Sequence, residues 1–276
     1  GDTNAGAVSV SAQAAVLIDA NDGSVLYARG AGLRLPMAST AKTMTAVIAI
    51  EYGDLNQIIE IPAAAVGVEG SSVYLYCGEK LTLEDLLYAM LLESANDAAT
   101  AIAIAIAGSV EGFAGLMNAK VAELGLADTH FVNPHGLDSD EQYTTAYDLA
   151  QITAYALRNE TFAKIVSTKK TTIPLNGTEG VRLLVNHNRL LRSYPGAVGV
   201  KTGFTRRSGR CLVSAATRGG LTLIAVTLNA PSDWSDHKKM LDYGFSSYVG
   251  ITLIEDGEYD LSIPVTGGRP DWVRCV

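Results

Sequence analysis

The chain has 276 residues, of which 48% are hydrophobic and 18% are charged, a balance typical of a globular protein with one large core. Its 21 basic and 29 acidic residues give a net charge of −8, which argues against binding to nucleic acids. The longest apolar run, residues 101–107, is far shorter than the roughly 18 residues of a membrane span, so we expect no transmembrane segment.

The N-terminus and the cysteines bear on the compartment. The first residues carry neither a basic n-region nor an apolar h-region, so we expect a signal peptide to be absent or already removed. Cys77, Cys211 and Cys275 are an odd number without C-x-x-C spacing, and we expect small buried hydrophobic side chains rather than a disulfide framework. The four histidines show no metalloprotease spacing, and we expect no metal and no cofactor.

Two hairpin patterns lie near opposite ends of the chain. In the first, two β-rich runs flank an Asp-Gly turn at residues 22–23. In the second, residues 211–228 form two β-rich runs around a Gly-Gly turn. The pattern between them is mostly helical, so we expect a sheet that is built from both ends of the chain.

The helices are predicted from capping residues and apolar periodicity. Thr82, Ser109 and Thr145 each precede an apolar stripe of helical spacing. Residues 101–107 alternate alanine and isoleucine, but both sets are apolar and alanine is the best helix former, so we expect a buried helix. A last helix is expected over residues 236–243, ending before a glycine.

The C-terminal residues resemble the beginning of a second module. Residues 251–254 and 259–263 are short β-like runs, and the segment is too short for a core of its own. We therefore predict a catalytic domain over residues 1–250 and the start of a truncated β module over residues 251–276.

Ser39 and Lys42 stand immediately before an apolar, helix-compatible segment. If Ser39 lies at the helix N-terminus, Lys42 follows one turn later on the same face, so hydroxyl and amine can touch. A serine hydroxyl needs an adjacent base, and a lysine serves when burial or a neighbouring cation lowers its pKa. An isolated S-x-x-K is better explained by a capping serine and a solvated lysine.

Two further short motifs carry polar groups at element boundaries. Ser94 and Asn96 are expected in a tight turn between helices, where they present a hydroxyl and an amide in one direction. The late β region begins with the motif Lys201, Thr202 and Gly203. If this motif lies on an edge strand, it supplies in turn a cation, a hydroxyl and space for a ligand backbone. Each motif alone is compatible with a cap or a solvated side chain.

S-x-x-K, S-x-N and K-T-G in this order match the signature of class A β-lactamases and penicillin-binding proteins. Over residues 10–250 the sequence resembles the low-molecular-weight penicillin-binding proteins that are serine-type D-alanyl-D-alanine carboxypeptidases of peptidase family S11. The further stretches that carry the resemblance are residues 15–20, 92–98, 129–137, 144–149, 186–191 and 198–205.

The resemblance implies an α/β (α+β) fold of the β-lactamase and transpeptidase type. It consists of a mostly antiparallel sheet flanked by helices, an all-helical subdomain, and a groove between them that holds the active site, here with a short β-rich C-terminal extension. It also implies an extracytoplasmic enzyme whose partners are peptidoglycan stem peptides ending in D-Ala-D-Ala and β-lactam antibiotics. Membrane attachment is expected only through a C-terminal anchor that this chain lacks.

The resemblance also implies residue roles. Ser39 attacks the carbonyl between the two terminal D-alanines and forms an acyl-enzyme, Lys42 is its base, and Ser94 exchanges a proton with Lys42. Independently of the resemblance, two lysines that converge on one pocket disfavour each other's charge, so we expect Lys201 to help keep Lys42 neutral. The backbone N–H groups of Ser39 and Phe204 form the oxyanion hole. The substrate-binding residues are Asn96, Lys201, Thr202, Gly203, Phe204 and Thr205.

One departure and two alternatives accompany this prediction. Some relatives place an arginine before the last helix to bind the substrate carboxylate, whereas residues 232–236 contain none, so Arg206 and Arg207 become candidates. A class A β-lactamase would need a glutamate that positions water, and Glu160 lacks the expected companion asparagine. A catalytically idle peptidoglycan-sensing module would have no need for a nucleophile beside a base.

Overall fold

The computed structural model describes residues 1–250, 262–264 and 272–274. Its strands are β1 (Ala14–Asp19), β2 (Val25–Arg29), β3 (Ile58–Glu60), β4 (Lys80–Thr82), β5 (Lys170–Pro174), β6 (Val181–Val185), β7 (Ala197–Thr205), β8 (Gly209–Arg218), β9 (Leu221–Leu228), β10 (Ser262–Pro264) and β11 (Trp272–Arg274). Its α-helices are α1 (Lys42–Tyr52), α2 (Leu83–Leu92), α3 (Asn96–Ala107), α4 (Val110–Glu123), α5 (Ala146–Leu157), α6 (Glu160–Ser167), α7 (Leu190–Ser193) and α8 (Asp233–Ser247). Short 3₁₀ helices cover Ala38–Ala41 and Ala63–Ala65.

The main sheet joins the two ends of the catalytic region. Its five strands pair antiparallel in the order β2-β1-β9-β8-β7, with Val16 opposite Val226 and Lys201 opposite Val213. Both predicted hairpins are confirmed, as is the expectation that the sheet needs both chain ends. Strand β7, which carries the K-T-G motif, lies at the edge of the sheet.

Both faces of the sheet are buried. Successive side chains of β1 point to opposite faces, so they belong alternately to two separate hydrophobic cores. Val16 and Ile18 join the larger core, which the sheet forms with α1 to α6. Leu17 points to the opposite face, where Met240 and Leu241 of α8 pack. The sheet is therefore a middle layer between α8 and a cluster of helices.

The predicted helix starts are confirmed at all three capping residues. Thr82 and Asp85 form a reciprocal capping box, with distances of 3.0 and 3.1 Å between backbone nitrogen and side-chain oxygen. Ser109 and Thr145 each accept a hydrogen bond from the backbone N–H three residues on. The alanine-isoleucine run is also confirmed as helical, since it forms the C-terminal half of α3.

Two local predictions are wrong. Helix α8 is longer than residues 236–243 at both ends, and Gly244 lies inside it. A Cβ at Gly244 would come within 2.4 Å of Leu223 Cδ1, so this glycine allows the helix to approach the sheet rather than ending it. Cys211 is buried as expected, whereas Cys77 is exposed; Cys275 lies outside the described residues.

Three small hairpins accompany the main sheet: β3 with β4, β5 with β6, and β10 with β11, all antiparallel. The predicted strand at residues 251–254 and most of that at 259–263 lie outside the described residues, so the domain boundary at residue 250 stays a prediction. Among the described helices, none is singly long and apolar enough to cross a membrane; only α3 with α4, bent by 83°, reaches that length and composition as a pair.

Candidate active site

Ser39 lies in the 3₁₀ turn that leads into α1, and Lys42 is the first residue of that helix. This turn brings the Ser39 Oγ and Lys42 Nζ atoms to 2.9 Å. The Lys42 side chain is fully buried, whereas Ser39 lines an open cleft. The hydroxyl therefore faces the cleft while the amine lies beneath it.

Two glycines pack against the backbone that holds Ser39. Ala38 has a φ of +49°, a conformation that costs a non-glycine residue on the order of 1–3 kcal/mol. A Cβ at Gly136 would lie only 1.9 Å from the Ala38 carbonyl oxygen, and a Cβ at Gly203 would lie 2.9 Å from the Ser39 nitrogen. The sequence predicts that Gly203 leaves space for a ligand backbone; the structure adds that the Ser39 turn also packs closely against this glycine. These contacts hold the strained turn in place.

Lys42 Nζ has three oxygen neighbours. Besides Ser39 Oγ, the Asn96 Oδ1 and His135 carbonyl oxygens each lie 2.6 Å away and accept hydrogen bonds. Burial and the nearby charge of Lys201 lower the Lys42 pKa well below its usual value, against an opposing effect of Asp97. A neutral amine has two N–H donors and one lone pair. Because two neighbours are pure acceptors, the lone pair is left for the Ser39 hydroxyl.

Lys201 lies on β7, is 2% exposed, and donates to Ser94 Oγ at 3.0 Å and to the Thr202 carbonyl at 2.8 Å. Burial lowers its pKa to about 7. Ser94 has a φ of +60° in the short turn between α2 and α3, as the sequence predicted. Its direct partner is Lys201, whereas Lys42 contacts other groups, so a direct Ser94–Lys42 contact is not the arrangement found.

Asn96 joins Lys42 to the loop that precedes β4. Its Oδ1 accepts from Lys42, its Nδ2 donates to the Glu69 carbonyl at 2.7 Å, and its backbone N–H donates to the Ser71 carbonyl at 2.8 Å. The next residue, Asp97, is buried and accepts hydrogen bonds from the Leu75 backbone N–H at 3.0 Å and from a neighbouring serine. Asn96 therefore links Lys42 to this loop through contacts with protein groups.

A cleft of about 300 Å³ opens above these buried groups. The predicted residues that line it are Ser39, Ser94, Thr202, Gly203 and Phe204. Lys42, Asn96 and Lys201 lie beneath this surface, each less than 5% exposed.

Three candidate residues from the sequence, Thr205, Arg206 and Arg207, are not among the residues that line the cleft. Thr205 Oγ1 donates to Asp138 Oδ1, in the segment between α4 and α5, and lies 2.8 Å from Ser208 Oγ in the β7–β8 turn. Arg207 forms an exposed ion pair with Asp140, and neither it nor its neighbour Arg206 lines the cleft.

Arg189 and Arg210 line the cleft, and the sequence analysis missed both. Arg210 lies directly opposite Phe204 on the neighbouring strand, a position that becomes visible only once the β7–β8 register is known. The His135 carbonyl was missed because its contact with Lys42 joins residues that are 93 positions apart in the sequence, although residues 129–137 are part of the resemblance.

No metal-binding cluster of three or more His, Cys, Asp or Glu side chains is found in the part of the chain that the structure describes. A serine hydroxyl in contact with a buried amine, carried on a sheet-and-helix frame, is the arrangement that a serine enzyme with a lysine base requires.

Comparison with known sequences places this arrangement in a family. Residues 2–232 match the family model of peptidase S11, described as D-alanyl-D-alanine carboxypeptidase. The chain is 35% identical over 271 residues to D-alanyl-D-alanine carboxypeptidase DacF of Bacillus subtilis (strain 168), covering 95% of this chain and 69% of that protein. It is 36% identical over 243 residues to the D-alanyl-D-alanine carboxypeptidase of Streptomyces sp. (strain K15), covering 81% and 84%.

Solved structures agree with this comparison. The Streptomyces K15 DD-transpeptidase is similar with a TM-score of 0.81 at 34% identity, covering 87% of this chain and 98% of that one. The D-alanyl-D-alanine carboxypeptidase from Mycobacterium tuberculosis H37Rv is similar with a TM-score of 0.82 at 34% identity, covering 88% and 96%. The chain belongs to the peptidase S11 family of D-alanyl-D-alanine carboxypeptidases. The resemblance and the expected fold are confirmed.

Proposed function

We propose that the protein is a serine-type D-alanyl-D-alanine carboxypeptidase that removes the terminal D-alanine from peptidoglycan stem peptides, outside the cytoplasm. The observation that carries the proposal is the 2.9 Å contact between Ser39 Oγ and the buried Lys42 Nζ. Family membership supports the same activity. The roles of the individual residues below are part of the proposal.

In the acylation step, Ser39 Oγ attacks the carbonyl carbon between the two D-alanines while its proton passes to Lys42 Nζ. The resulting ammonium has three N–H donors. The three oxygen atoms around Nζ, from Ser39, Asn96 and His135, can accept all of them, so the pocket suits both protonation states.

The tetrahedral intermediate places negative charge on the former carbonyl oxygen. The backbone N–H groups of Ser39 and Phe204 are the proposed donors to it, each worth on the order of 3 kcal/mol. The close approach of Gly203 to the Ser39 nitrogen supports this, because it places the end of the K-T-G segment beside the nucleophile.

Collapse of the intermediate breaks the C–N bond and requires a proton on the leaving nitrogen. Ser94 lines the cleft and its Oγ accepts from Lys201 Nζ, so the Lys201 ammonium can pass a proton through the Ser94 hydroxyl to the leaving nitrogen. Lys201 then regains a proton from solvent, and Lys42 releases to solvent the proton that it took from Ser39. Free D-alanine departs, and water then hydrolyses the acyl-enzyme. A penicillin would acylate Ser39 in the same way, since its lactam resembles the D-Ala-D-Ala unit.

The β-lactamase alternative has less support in the structure. Glu160 is exposed at the start of α6 and does not line the cleft, so it is not placed to position water beside Ser39. A catalytically idle module does not explain why a buried amine lies beside the serine hydroxyl.

The test is incubation with diacetyl-Lys-D-Ala-D-Ala and with a labelled penicillin. The wild-type protein should release D-alanine and take up one label per chain, and Ser39→Ala should lose both. Ser246→Ala, which removes a hydroxyl on the exposed end of α8, should behave like the wild type. Covalent label on Ser39→Ala would refute the assignment of the nucleophile. Rapid penicillin turnover would favour the β-lactamase, and label without D-alanine release would favour the idle module.

A further inference from the structure

The end of the cleft beyond the nucleophile carries two guanidinium groups on one aromatic ring. The Cζ atoms of Arg189 and Arg210 each lie 5.9 Å from the centroid of the Trp234 ring, and all three residues line the cleft. Trp234 is the second residue of α8, within the stretch where an arginine was expected from the resemblance.

We propose that Arg210 binds the terminal carboxylate of the substrate, in place of the arginine that residues 232–236 lack. This inference rests on the proposed carboxypeptidase function and adds the residue that recognises the free C-terminus.

The β-sheet register places Arg210 beside the K-T-G strand. Phe204 is directly opposite Arg210. Thr202 lies two residues before Phe204, so its side chain is on the same face of the strand. Thr202 is therefore the diagonal neighbour of Arg210. Diagonal neighbours in an antiparallel pair are within reach of a long side chain. The Thr202 hydroxyl and the Arg210 guanidinium therefore border the same part of the cleft, where one carboxylate can contact both.

Arg210 is held in position but keeps donors free. Its Nε and one terminal nitrogen each lie 3.0 Å from Asp233 Oδ1, and Asp233 is 3% exposed at the start of α8. A guanidinium has five N–H donors, so this pairing leaves three for a ligand. The Arg210 side chain is 43% exposed, which makes these donors accessible from the cleft.

The charge balance also favours an anion at this position. Arg189 and Arg210 contribute two positive charges, and among the described residues that line this end of the cleft Asp233 is the carboxylate that opposes them. One positive charge is thus left for a ligand. Arginine is suited to this role because its planar fork matches the geometry of a carboxylate.

The test compares diacetyl-Lys-D-Ala-D-Ala with its C-terminal carboxamide, which has the same scissile bond and no negative charge. Loss of a charged hydrogen-bond pair is worth about 10- to 100-fold. Arg210→Gln should lower kcat/KM by that factor for the free acid and by less than about threefold for the amide. Arg210→Lys keeps a cation and the partner Asp233. Its kcat/KM for the free acid should lie between the values for the wild type and for Arg210→Gln.

Arg206→Gln is the matched control, since Arg206 is exposed and does not line the cleft; it should leave both substrates unaffected. An equal loss on acid and amide in Arg210→Gln or Arg210→Lys would overturn the inference and indicate a structural role. The inference would also be overturned if Arg189→Gln selectively lowered kcat/KM for the free acid and Arg210→Gln did not. Both results leave the carboxypeptidase intact, whereas failure of the wild type to release D-alanine would refute the proposed function itself.

Discussion

Replacing Lys201 by methionine removes a buried charge while keeping the length of the side chain. Burial lowers the Lys201 pKa from 10.5 to about 7 in the folded protein. Between these values the unfolded chain binds a proton that the native state lacks. The free energy of unfolding of the wild type must therefore increase as the pH rises through this window.

The size of the effect follows from the shift. One bound proton changes the free energy of unfolding by about 1.4 kcal/mol per pH unit. Since Lys201 is half protonated near pH 7, its contribution between pH 7 and pH 9 is about 2 kcal/mol. Lys201→Met should lack this gain. The Lys42 pKa, which Lys201 helps to lower, should also rise, and this reduces the pH dependence further.

Urea unfolding at pH 7, 8 and 9 measures this difference in slope. Absolute stability also changes, because the Ser94 hydroxyl and the Thr202 carbonyl lose their donor, but that loss does not depend on pH in this range. Lys80→Met is the control, since the Lys80 side chain is 59% exposed; its slope should match the wild type. Equal slopes for Lys201→Met and the wild type would show that Lys201 does not titrate near pH 7.

The same variant has a second readout in penicillin acylation. Without the positive charge of Lys201, the Lys42 amine holds its proton to higher pH, so the acid limb of the acylation profile should move in the alkaline direction. An acid limb that stays in place while the rate falls would contradict the coupling of the two lysines.

Three further predictions concern packing around the site and the scaffold. Gly203→Ala should lower penicillin acylation about 100-fold, because the new Cβ meets rigid backbone, whereas Gly115→Ala, with open space around it, should keep full activity. Glu79→Gln removes the charged partner of the Arg182 guanidinium, which is largely buried. The free energy of unfolding should fall by about 3–5 kcal/mol in urea titrations. An unchanged midpoint would contradict this. Thr82→Ala should cost about 1 kcal/mol through loss of the capping box, and Thr82→Ser should restore most of it.

Local chemistry was predictable from the sequence. Thr82, Ser109 and Thr145 satisfy backbone N–H groups within three residues, so their roles depend on neighbours in the chain. The two glycine turns at 22–23 and 219–220 likewise determine hairpins from local conformation. The order of the three polar motifs together with six further short stretches was enough for the family.

The sequence-based predictions were incomplete or wrong where the role of a residue depends on contacts with a distant part of the chain. Gly244 looked like a helix end, yet it lies within α8 because Leu17 and Leu223 pack against it across the sheet. Gly203 lines the cleft, but the sequence did not show that it also packs against the Ser39 turn. In both cases the missing side chain matters because of backbone or side chains that are remote in sequence.

The amino-acid sequence by itself determined which reactive groups the protein has, where its helices begin, and which family it belongs to, because these properties reside in short segments. Only the tertiary structure decided what each group contacts. Lys42 meets the His135 carbonyl, Lys201 meets Ser94, and Arg210 comes beside the K-T-G strand through β-sheet register. The physical reason is that charge and proton affinity depend on burial and on neighbours within a few ångströms, and folding brings these neighbours from distant parts of the chain.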